Sequence, residues 1–268
     1  MNIGLIGGGA MGEAIVSAVL KAELVSPAQI KVFDVSAERV HHLSASYNIE
    51  KTESPDQAVD SVDFAIFAVK PQDFAAAADA IGGKLKGATA ISIMAGVTLE
   101  QLTSALRSES VVRSMPNTPA QIGAGMTVWT ATAGVGEDAR ASVRQILGAM
   151  GKEAYVPEEK YLDMATGLSG SGPAYVFLFI EALTDAGVHI GLSRDLASTM
   201  ALQTVLGSAK YAEETGRHPA ELRNQVTSPG GTTAEALRAF EDGSFRADVL
   251  SAVIAAYEKS KALGESGK

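Results

Sequence analysis

Residues 2–12 read NIGLIGGGAMG, in which a short apolar run passes directly into a glycine-rich turn. The run Asn2–Ile6 predicts a strand, and the segment Met11–Glu23 has the spacing of a helix. The turn carries the pattern Gly-x-Gly-x-x-Gly at Gly7, Gly9 and Gly12, which binds dinucleotides when it joins a strand to a helix. We therefore expect a dinucleotide-binding loop here. The alternative is a glycine-rich turn that holds no ligand.

Beyond this turn, the first half of the chain alternates short apolar runs with helical patterns. Runs that are apolar throughout, such as Phe64–Val69, are typical of strands in a sheet that is covered on both faces. The alternation predicts an α/β fold with a Rossmann-like, doubly wound and mostly parallel sheet. The predicted strands are Asn2–Ile6, Ile30–Asp34, Val62–Val69, Ala88–Met94, Val111–Ser114 and Gly125–Ala131, and the helices are Met11–Glu23, Ala37–Ser46, Gln72–Ile81, Leu99–Leu106 and Glu137–Met150.

The strand pattern stops near Val156, and the rest of the chain has helical periodicity. We therefore predict a Rossmann-like dinucleotide-binding domain over residues 1–156 and an all-α domain over residues 157–268. A helical domain this thin leaves apolar faces for a second copy of the chain to cover, so we expect a homodimer. The predicted helices are Gly172–Ile190, Asp195–Thr215, Pro219–Gln225, Thr232–Glu241 and Arg246–Leu263.

The composition is that of a globular protein in water, since 46% of the residues are hydrophobic and 20% are charged. The formal net charge is −9 and the lysines and arginines are scattered, which argues against a nucleic-acid partner. No apolar run reaches the ~18–20 residues that cross a bilayer, and residues 1–20 lack the basic start of a secretory signal. With no cysteine and four histidines that lack the spacing of metal ligands, we expect a cytoplasmic protein without disulfides or a metal site.

Asp34 ends the second predicted strand, about 20 residues after Gly12, where an acidic side chain commonly accepts the ribose hydroxyls of NAD. A carboxylate at this place repels the 2′-phosphate of NADP, although Ser36 and Arg39 stand close enough in sequence to offset that repulsion. The cofactor preference therefore stays open between NADH, NADPH and both. The alternative role of Asp34 is that of a turn residue at the end of a strand.

Two loops follow the carboxyl ends of predicted strands, where ligands bind in sheets of this kind. They are Ala68-Val69-Lys70-Pro71 and Met94-Ala95-Gly96, and we expect both to line the nicotinamide crevice. Lys70 either contacts a phosphate or is an ordinary solvated lysine. In a third loop, Asn117 lies between two prolines, where it either hydrogen-bonds the carboxamide or the substrate or holds a rigid turn.

Near the other end of the chain, the segment SPGGTT at residues 228–233 runs into the helical pattern of Ala234–Glu241. Two adjacent glycines and two hydroxyl side chains at a helix start leave several backbone N–H groups free within a small volume. A helix N-terminus of this kind is an anion site that suits a carboxylate. Together, the two ends of the chain suggest a reductase that brings a nicotinamide cofactor to a small carboxylated substrate.

Five segments, in this order, resemble the pyrroline-5-carboxylate reductase family, which makes proline from its cyclic imine. They are Ile6–Gly12, Ala68–Pro71, Ser114–Asn117, Gly167–Tyr175 and Pro219–Glu241, the last centred on VTSPGGTT at residues 226–233. The resemblance covers essentially the whole chain. Its segments 114–117 and 167–175 and its loop 228–233 are much more specific than the glycine pattern.

The resemblance implies a Rossmann-like domain followed by a helical dimerisation domain, in an interlocked homodimer that often assembles into larger rings. It implies that NADPH or NADH reduces the C=N bond of 1-pyrroline-5-carboxylate to L-proline, the last step of proline biosynthesis. The chain departs from the family at Asp34, because relatives that prefer NADPH tend to carry a neutral or basic residue there. The resemblance and the reasoning above together predict cofactor contacts at Ile6, Gly7, Gly8, Gly9, Ala10, Met11, Gly12, Asp34, Ser36, Ala68, Val69, Lys70, Pro71, Ala95, Gly96 and Asn117, and substrate contacts at Ser228, Gly230, Gly231, Thr232 and Thr233.

Thr233 is the one predicted catalytic residue, because the resemblance implies that its hydroxyl lies beside the ring nitrogen. Hydride addition to a protonated imine needs no strong general acid, so the work of the protein is binding, orientation and exclusion of water. A threonine hydroxyl is too weak an acid to ionise near pH 7. Its predicted role is therefore a hydrogen bond to the imine or the product amine, and the alternative is an ordinary helix N-cap.

Two other functions fit the same two-domain plan. One is a 3-hydroxyacid dehydrogenase of the β-hydroxyacid class, whose members resemble each other in using a lysine on the first long helix of the second domain. Residues 169–179 of this chain contain no lysine, which leaves alcohol oxidation without a general base. A non-catalytic nucleotide sensor has the same Rossmann half but no use for the loop at residues 228–233.

Overall fold

The chain forms two compact units in a computed structural model, which describes residues 1–85 and 87–266. The first, here called the sheet unit, runs from Met1 to Ser171 and includes the end of the chain from Ala255 onward. The second, the helical unit, runs from Gly172 to Ile254. The domains 1–156 and 157–268 remain a prediction. The two units reflect packing within a single chain, whereas a second copy of the chain would complete the predicted helical domain.

The sheet unit is built on one sheet, whose strand order is β3-β2-β1-β4-β5-β6-β7-β8 when the strands are numbered along the chain. All neighbouring strands pair in parallel except β6 and β7, so the last two strands run opposite to the others. The order places β1 between β2 and β4, and ligands bind outside the carboxyl ends of strands at such a point. The strands are β1 (Ile3–Ile6), β2 (Ile30–Phe33), β3 (Glu50–Lys51), β4 (Phe64–Phe67), β5 (Thr89–Ser92), β6 (Val111–Met115), β7 (Gly125–Ala131) and β8 (Gly151–Tyr155).

Helices alternate with these strands, and side chains at their N-termini explain where two of them begin. The Ser36 hydroxyl accepts a hydrogen bond from the N–H of Arg39 at the start of α2, and Thr98 and Gln101 form a capping box at the start of α5. The helices of the sheet unit are α1 (Ala10–Lys21), α2 (Ala37–Tyr47), α3 (Pro55–Ala58), α4 (Phe74–Ile81), α5 (Leu99–Leu106), α6 (Glu137–Gly148) and α7 (Lys160–Ala165), with 3₁₀ turns at Pro27–Gln29, Pro71–Asp73 and Thr118–Ile122 and a π-helical turn at Thr166–Gly170.

Two apolar clusters, one including Ile3 and Leu5 and the other including Ile6 and Phe67, form the core of the sheet unit. Because alternate residues of a strand point to opposite faces, these assignments mean that the sheet is covered on both sides. Trp129 is fully buried, and its indole N–H donates to a carboxylate oxygen of Glu153. The predicted α/β class with a doubly wound, mostly parallel sheet is confirmed.

All six predicted strands are present, and two further strands were missed. β3 has two exposed residues and lies at one edge of the sheet, while β8 at the other edge has the composition Gly-Lys-Glu-Ala-Tyr. Neither segment is apolar or rich in β-branched residues, so the sequence alone does not distinguish them from loops. Both become strands because the neighbouring strand offers an open row of backbone hydrogen-bonding groups.

The helical unit contains four complete helices and the first part of a fifth. The predicted helices of this half are all present, with ends that differ by at most a few residues. Across the part of the chain that the structure describes, no helix is both long enough and apolar enough to cross a membrane. The helices are α8 (Gly172–His189), α9 (Arg194–Thr215), α10 (Pro219–Gln225), α11 (Thr232–Asp242) and α12 (Phe245–Ser266), of which α12 continues into the sheet unit.

The helical unit has almost no core of its own in the single chain. All of its residues are described, and only Thr184, Ala197 and Ala201 are buried. Large apolar side chains are instead exposed, such as Leu206 at 58% and Leu250 at 62% of their full exposure. An apolar surface of this extent marks a place where another molecule packs.

Candidate active site

The turn after β1 is shaped by a glycine that no other residue can replace. Gly7 has a φ of +102°, and its N–H donates to the carbonyl of Phe33 at 2.8 Å. A Cβ at this position would lie 2.6 Å from the carbonyl oxygen of Ala68, which follows β4. The turn therefore brings β1, β2 and β4 together at their carboxyl ends, and only glycine fits both the φ angle and the space.

The start of α1 presents free backbone donors beside an open space. Gly9 is the N-cap residue, and a Cβ added there would meet no atom within 4 Å. A Cβ at Gly12 would collide with the carbonyl of Gly7, so this glycine allows the helix to lie close to the turn. No residue in the described ranges accepts a hydrogen bond from the N–H groups of Ala10 or Met11. The loop thus fits the pyrophosphate of a dinucleotide.

Asp34 lies at the end of β2 and holds the glycine loop. Its Oδ2 accepts a hydrogen bond from the N–H of Gly8 at 2.6 Å, and its Oδ1 accepts one from the N–H of Ser36 at 2.8 Å. The carboxylate is half-buried. An ionised carboxyl group has about four lone-pair positions, so two remain for hydroxyl donors.

Arg39, in the first turn of α2, binds the glycine loop from the other side. Its Nε and Nη2 donate to the carbonyl of Gly8 at 2.8 and 2.6 Å, and Nη2 also pairs with Glu13 at 2.6 Å. Glu13 further contacts His42 and Tyr47, each at 3.2 Å. The hydrogen bond from Arg39 is the main reason that the pKa of Glu13 is lowered.

The loop after β4 contains Lys70, whose side chain is exposed. Ala68 begins the loop by donating its N–H to the carbonyl of Ile6 at 2.8 Å. Pro71 then starts a 3₁₀ turn, which the N–H of Asp73 closes onto the carbonyl of Lys70 at 2.9 Å. Lys70 has no ion pair with any residue that the structure describes, so contact with a phosphate and simple solvation both remain open.

The loop after β5 contains Gly96, with a φ of +76°, and it packs against the end of α12. A Cβ at Gly96 would lie 2.9 Å from the Cβ of Leu263, and one at Gly264 would lie 3.2 Å from the carbonyl oxygen of Gly96. The end of the chain therefore supports the loop that was predicted to line the nicotinamide crevice. This contact was missed, because it joins segments far apart in sequence.

Asn117 uses its side chain within the sheet unit. Its Nδ2 donates to the carbonyl of Ser169 at 3.0 Å, and its Oδ1 accepts from the N–H of Met126 at 2.9 Å. Ser169 lies in the π-helical turn 166–170, where widening of the helix frees backbone carbonyls for other donors. The rigid-turn interpretation thus gains a structural basis, while a contact of Asn117 with the cofactor stays a prediction.

In the helical unit, the loop at residues 228–233 forms an uncapped helix start. Gly230 has a φ of +68°, and Gly231 is the N-cap of α11, which has no side-chain cap. The N–H of Gly231 donates within the loop to the carbonyl of Ser228 at 3.1 Å. The N–H groups of Gly230, Thr232 and Thr233 have no acceptor among the described residues. The donors available to an anion therefore lie on both sides of Gly231.

Thr233 is the second residue of α11 and is half-buried. It is not the N-cap, so the alternative interpretation of this threonine as an ordinary cap is wrong. Its hydroxyl makes no hydrogen bond with another residue that the structure describes. A separate cavity of about 280 Å³ in the helical unit, lined by Phe179, Phe240 and Phe245 among others, contains none of the loop residues 228–233.

Comparisons with known proteins match both halves of the chain. Residues 159–263 match the family model described as pyrroline-5-carboxylate reductase dimerisation. Residues 2–96 match the model described as NADP oxidoreductase coenzyme F420-dependent. The pyrroline-5-carboxylate reductase of Escherichia coli is 43% identical over 267 residues, which cover 99% of each chain. The chain belongs to the pyrroline-5-carboxylate reductase family.

Solved structures of family members have the same fold along the whole chain. The pyrroline-5-carboxylate reductase of Coxiella burnetii matches with a TM-score of 0.91 at 35% identity, over 98% of each chain. The pyrroline carboxylate reductase of Plasmodium falciparum, solved with NADP bound, matches with a TM-score of 0.90 at 33% identity, also over 98% of each chain. The resemblance to pyrroline-5-carboxylate reductases expected from the five sequence segments is confirmed.

This family member also contains a charged cluster around the buried Arg113, which none of the sequence motifs indicated. Arg113 of β6, only 3% exposed, pairs with Glu159 at 2.7 Å and with Asp163 at 3.0 Å. Glu159 also accepts the N–H of Leu99 at 2.7 Å, and Asp163 accepts the hydroxyl of Ser260 at 2.9 Å. The signal was available in the sequence, since an arginine inside the predicted strand Val111–Ser114 requires partners for its charge. Its partners lay too far along the chain to be identified.

Proposed function

We propose that this chain transfers a hydride from NADPH or NADH to the C=N bond of 1-pyrroline-5-carboxylate and so forms L-proline, the last step of proline biosynthesis. The observation that carries the proposal is the 43% identity to the Escherichia coli enzyme over 99% of both chains, which includes both candidate binding loops. The reaction adds a hydride to the carbon of a protonated imine, and the nitrogen keeps its proton as a secondary amine. No group of the protein needs to donate a proton before the transfer.

We propose that the glycine loop holds the cofactor. The free N–H groups of Ala10 and Met11 at the start of α1 bind the pyrophosphate, and the open space at Gly9 allows its approach. The loops at 68–71 and 95–96 orient the nicotinamide, which supplies the hydride. The positive φ of Gly7 fixes the glycine loop and the close packing of Gly96 fixes the loop at 95–96, which supports this role because both are shaped before the cofactor binds.

The substrate carboxylate, in this proposal, binds at the start of α11. The N–H groups of Gly230 and Thr232 donate to it, while the N–H of Gly231 maintains the turn by its bond to Ser228. The helix dipole and these charge-assisted hydrogen bonds together contribute about 2–4 kcal/mol to binding. The carboxylate thereby fixes the position of the imine ring.

Thr233 acts next to this anion site. Its hydroxyl has no partner among the described residues, so it is available to accept the N–H of the protonated imine or of the product amine. This hydrogen bond orients the C=N bond without moving the proton away from nitrogen. Thr233 is therefore a hydrogen-bonding catalytic residue in the proposal, and general acid chemistry is not required of it.

We further propose that the chain works as a homodimer through its C-terminal helices, in the cytoplasm, and that dimers associate into a larger ring. The match of residues 159–263 to a dimerisation model supports the dimer. So does the scarcity of buried side chains in the helical unit. A dimer interface supplies the apolar contacts that the helices lack within one chain.

The test is an initial-rate measurement of NADPH and NADH oxidation with 1-pyrroline-5-carboxylate, followed at the absorbance of the reduced nicotinamide. We expect turnover with at least one cofactor and formation of L-proline in equal amount. A folded protein that binds the cofactor but oxidises a 3-hydroxyacid instead would support the dehydrogenase alternative. Binding of the cofactor without turnover on either substrate would support the nucleotide sensor.

A further inference from the structure

The end of β2 decides which adenosine ribose a dinucleotide-binding loop accepts. Asp34 places a carboxylate there, fixed by the N–H groups of Gly8 and Ser36 at 2.6 and 2.8 Å. Its remaining lone pairs accept hydroxyl hydrogens, which suits the 2′- and 3′-hydroxyls of NADH. A 2′-phosphate is mostly a dianion near pH 7, with a second pKa of about 6, so it meets repulsion at the same place.

A cation next to the carboxylate would cancel this repulsion, and Arg39 is the one cationic residue within residues 34–39. Its guanidinium is directed elsewhere, with two donors on the carbonyl of Gly8 and an ion pair to Glu13 at 2.6 Å. The charge of Arg39 is therefore already balanced. Glu38, exposed on the same turn, adds a second negative charge to this region.

From this arrangement we propose that the chain prefers NADH to NADPH, and that Asp34 is the residue that discriminates against the 2′-phosphate. The inference rests on the proposed binding of a nicotinamide cofactor at the glycine loop. It gives Arg39 a different role, as a positioning residue that holds the carbonyl of Gly8 and so shapes the loop for either cofactor. The chain would thereby differ from the relative of Plasmodium falciparum, whose structure was solved with NADP bound.

The first test measures Kd for NADH and for NADPH by nicotinamide fluorescence, without substrate. We expect the Kd of NADH to be lower by about tenfold or more in the wild-type protein. In Asp34→Asn, whose amide oxygen can still accept the N–H of Gly8, the ratio of the two constants should move toward NADPH by about tenfold. Asp34→Ser gives a second uncharged variant if the asparagine protein fails to fold.

Glu38→Gln is the matched control, because it removes an exposed carboxylate from the same turn without touching the glycine loop. We expect it to change the ratio by less than about threefold, since exposed charges are screened. A wild-type protein that binds NADPH equally or more tightly would overturn the proposal. So would an uncharged Asp34 variant, folded by its melting curve, that keeps the wild-type ratio.

Arg39→Gln separates the two roles of the arginine. As a positioning residue, Arg39 supports both cofactors, so both Kd values should rise by a similar factor of about three to ten. A loss confined to NADPH would show that Arg39 binds the 2′-phosphate, and the proposal would be wrong. If the wild-type chain binds neither cofactor, the proposed function itself fails, which is distinct from a failure of the preference alone.

Discussion

The glycines of the first turn differ in what a side chain would meet, and this predicts opposite effects of the same substitution. We expect Gly9→Ala to shift Tm by no more than about 3 °C, because the added methyl group touches no protein atom, while Kd for NADH rises about tenfold or more. Gly7→Ala should instead destabilise the fold by about 2–4 kcal/mol, since its φ is +102° and its Cβ would lie 2.6 Å from Ala68.

Thermal melts and fluorescence titrations of both variants test this pair. The open space at Gly9 is where the pyrophosphate is proposed to approach. Cofactor binding that is undiminished in a folded Gly9→Ala protein would therefore place the dinucleotide somewhere else.

Thr233 is expected to assist the reaction through one hydrogen bond. For Thr233→Ala we expect KM for the imine to rise several-fold and kcat to fall by about tenfold or less, the size of one lost hydrogen bond. Thr233→Ser keeps the hydroxyl and should recover most of the activity. The measurement is steady-state kinetics with a saturating cofactor. Complete loss of turnover in a folded Thr233→Ala protein would require a stronger role for this residue.

Glu13 makes the stability of the folded chain depend on pH in the acid range. Because its pKa is lowered in the folded chain, its contribution to stability is complete above its unfolded pKa of about 4.5 and is lost as the pH falls through the lower folded value. We expect wild-type Tm to exceed that of Glu13→Gln by about 2 °C at pH 7. The two melting temperatures should converge below pH 4.5. A difference that stays constant down to pH 3 would contradict this assignment.

At the scale of elements, Arg113 is the residue through which β6 is joined to α7, with α5 and α12 held by the same carboxylates. We expect Arg113→Met to lower the free energy of unfolding by about 2–3 kcal/mol, because Glu159 and Asp163 lose a buried partner but are themselves partly exposed. Chemical denaturation measures this effect. Arg194→Met is the control, since its exposed pair with Asp185 should contribute less than about 1 kcal/mol.

Within the sheet unit, the same cluster lies next to the loop after β5 that contains Gly96. Ser260 of α12 donates to Asp163, and one turn further along the helix Leu263 packs on Gly96. The end of α12 is thus held at two points, one charged and one closely packed. An equal effect of Arg113→Met and Arg194→Met on stability would mean that this cluster does not hold the elements together.

At the scale of the whole molecule, the helical unit lacks the buried side chains that a stable domain needs. We expect the wild-type chain to sediment as a dimer or a larger assembly, and the double variant Leu206→Glu and Leu250→Glu to shift toward monomers and aggregates. Both leucines are more than half exposed in the single chain, at 58% and 62%. Burying two charges in an interface opposes association strongly.

Ile122→Glu provides the control for this experiment, because Ile122 is 82% exposed but lies in the sheet unit. Its substitution should leave the sedimentation profile unchanged. A wild-type chain that sediments as a monomer at micromolar concentration would contradict the proposed dimer.

Features that depend on neighbouring residues could be read directly from the amino-acid sequence. The strand, glycine turn and helix at residues 2–21 follow from local apolar spacing and from backbone conformations open only to glycine. The helix start after Gly231 follows for the same reason. The alternation of strands and helices then specifies the doubly wound class, since parallel strands require helical crossovers.

The tertiary structure alone decided which distant partner a long polar side chain takes. Arg39 stood near Asp34 in sequence, yet its guanidinium binds Gly8 and Glu13, which are 31 and 26 residues away. Asn117 bonds to Ser169 across 52 residues, and Arg113 to Asp163 across 50. A long side chain has many partners within reach, and only the packing of distant elements determines which of them is desolvated beside it. For that reason the sequence predicted the binding loops, but it did not predict which groups the charged side chains around them bind.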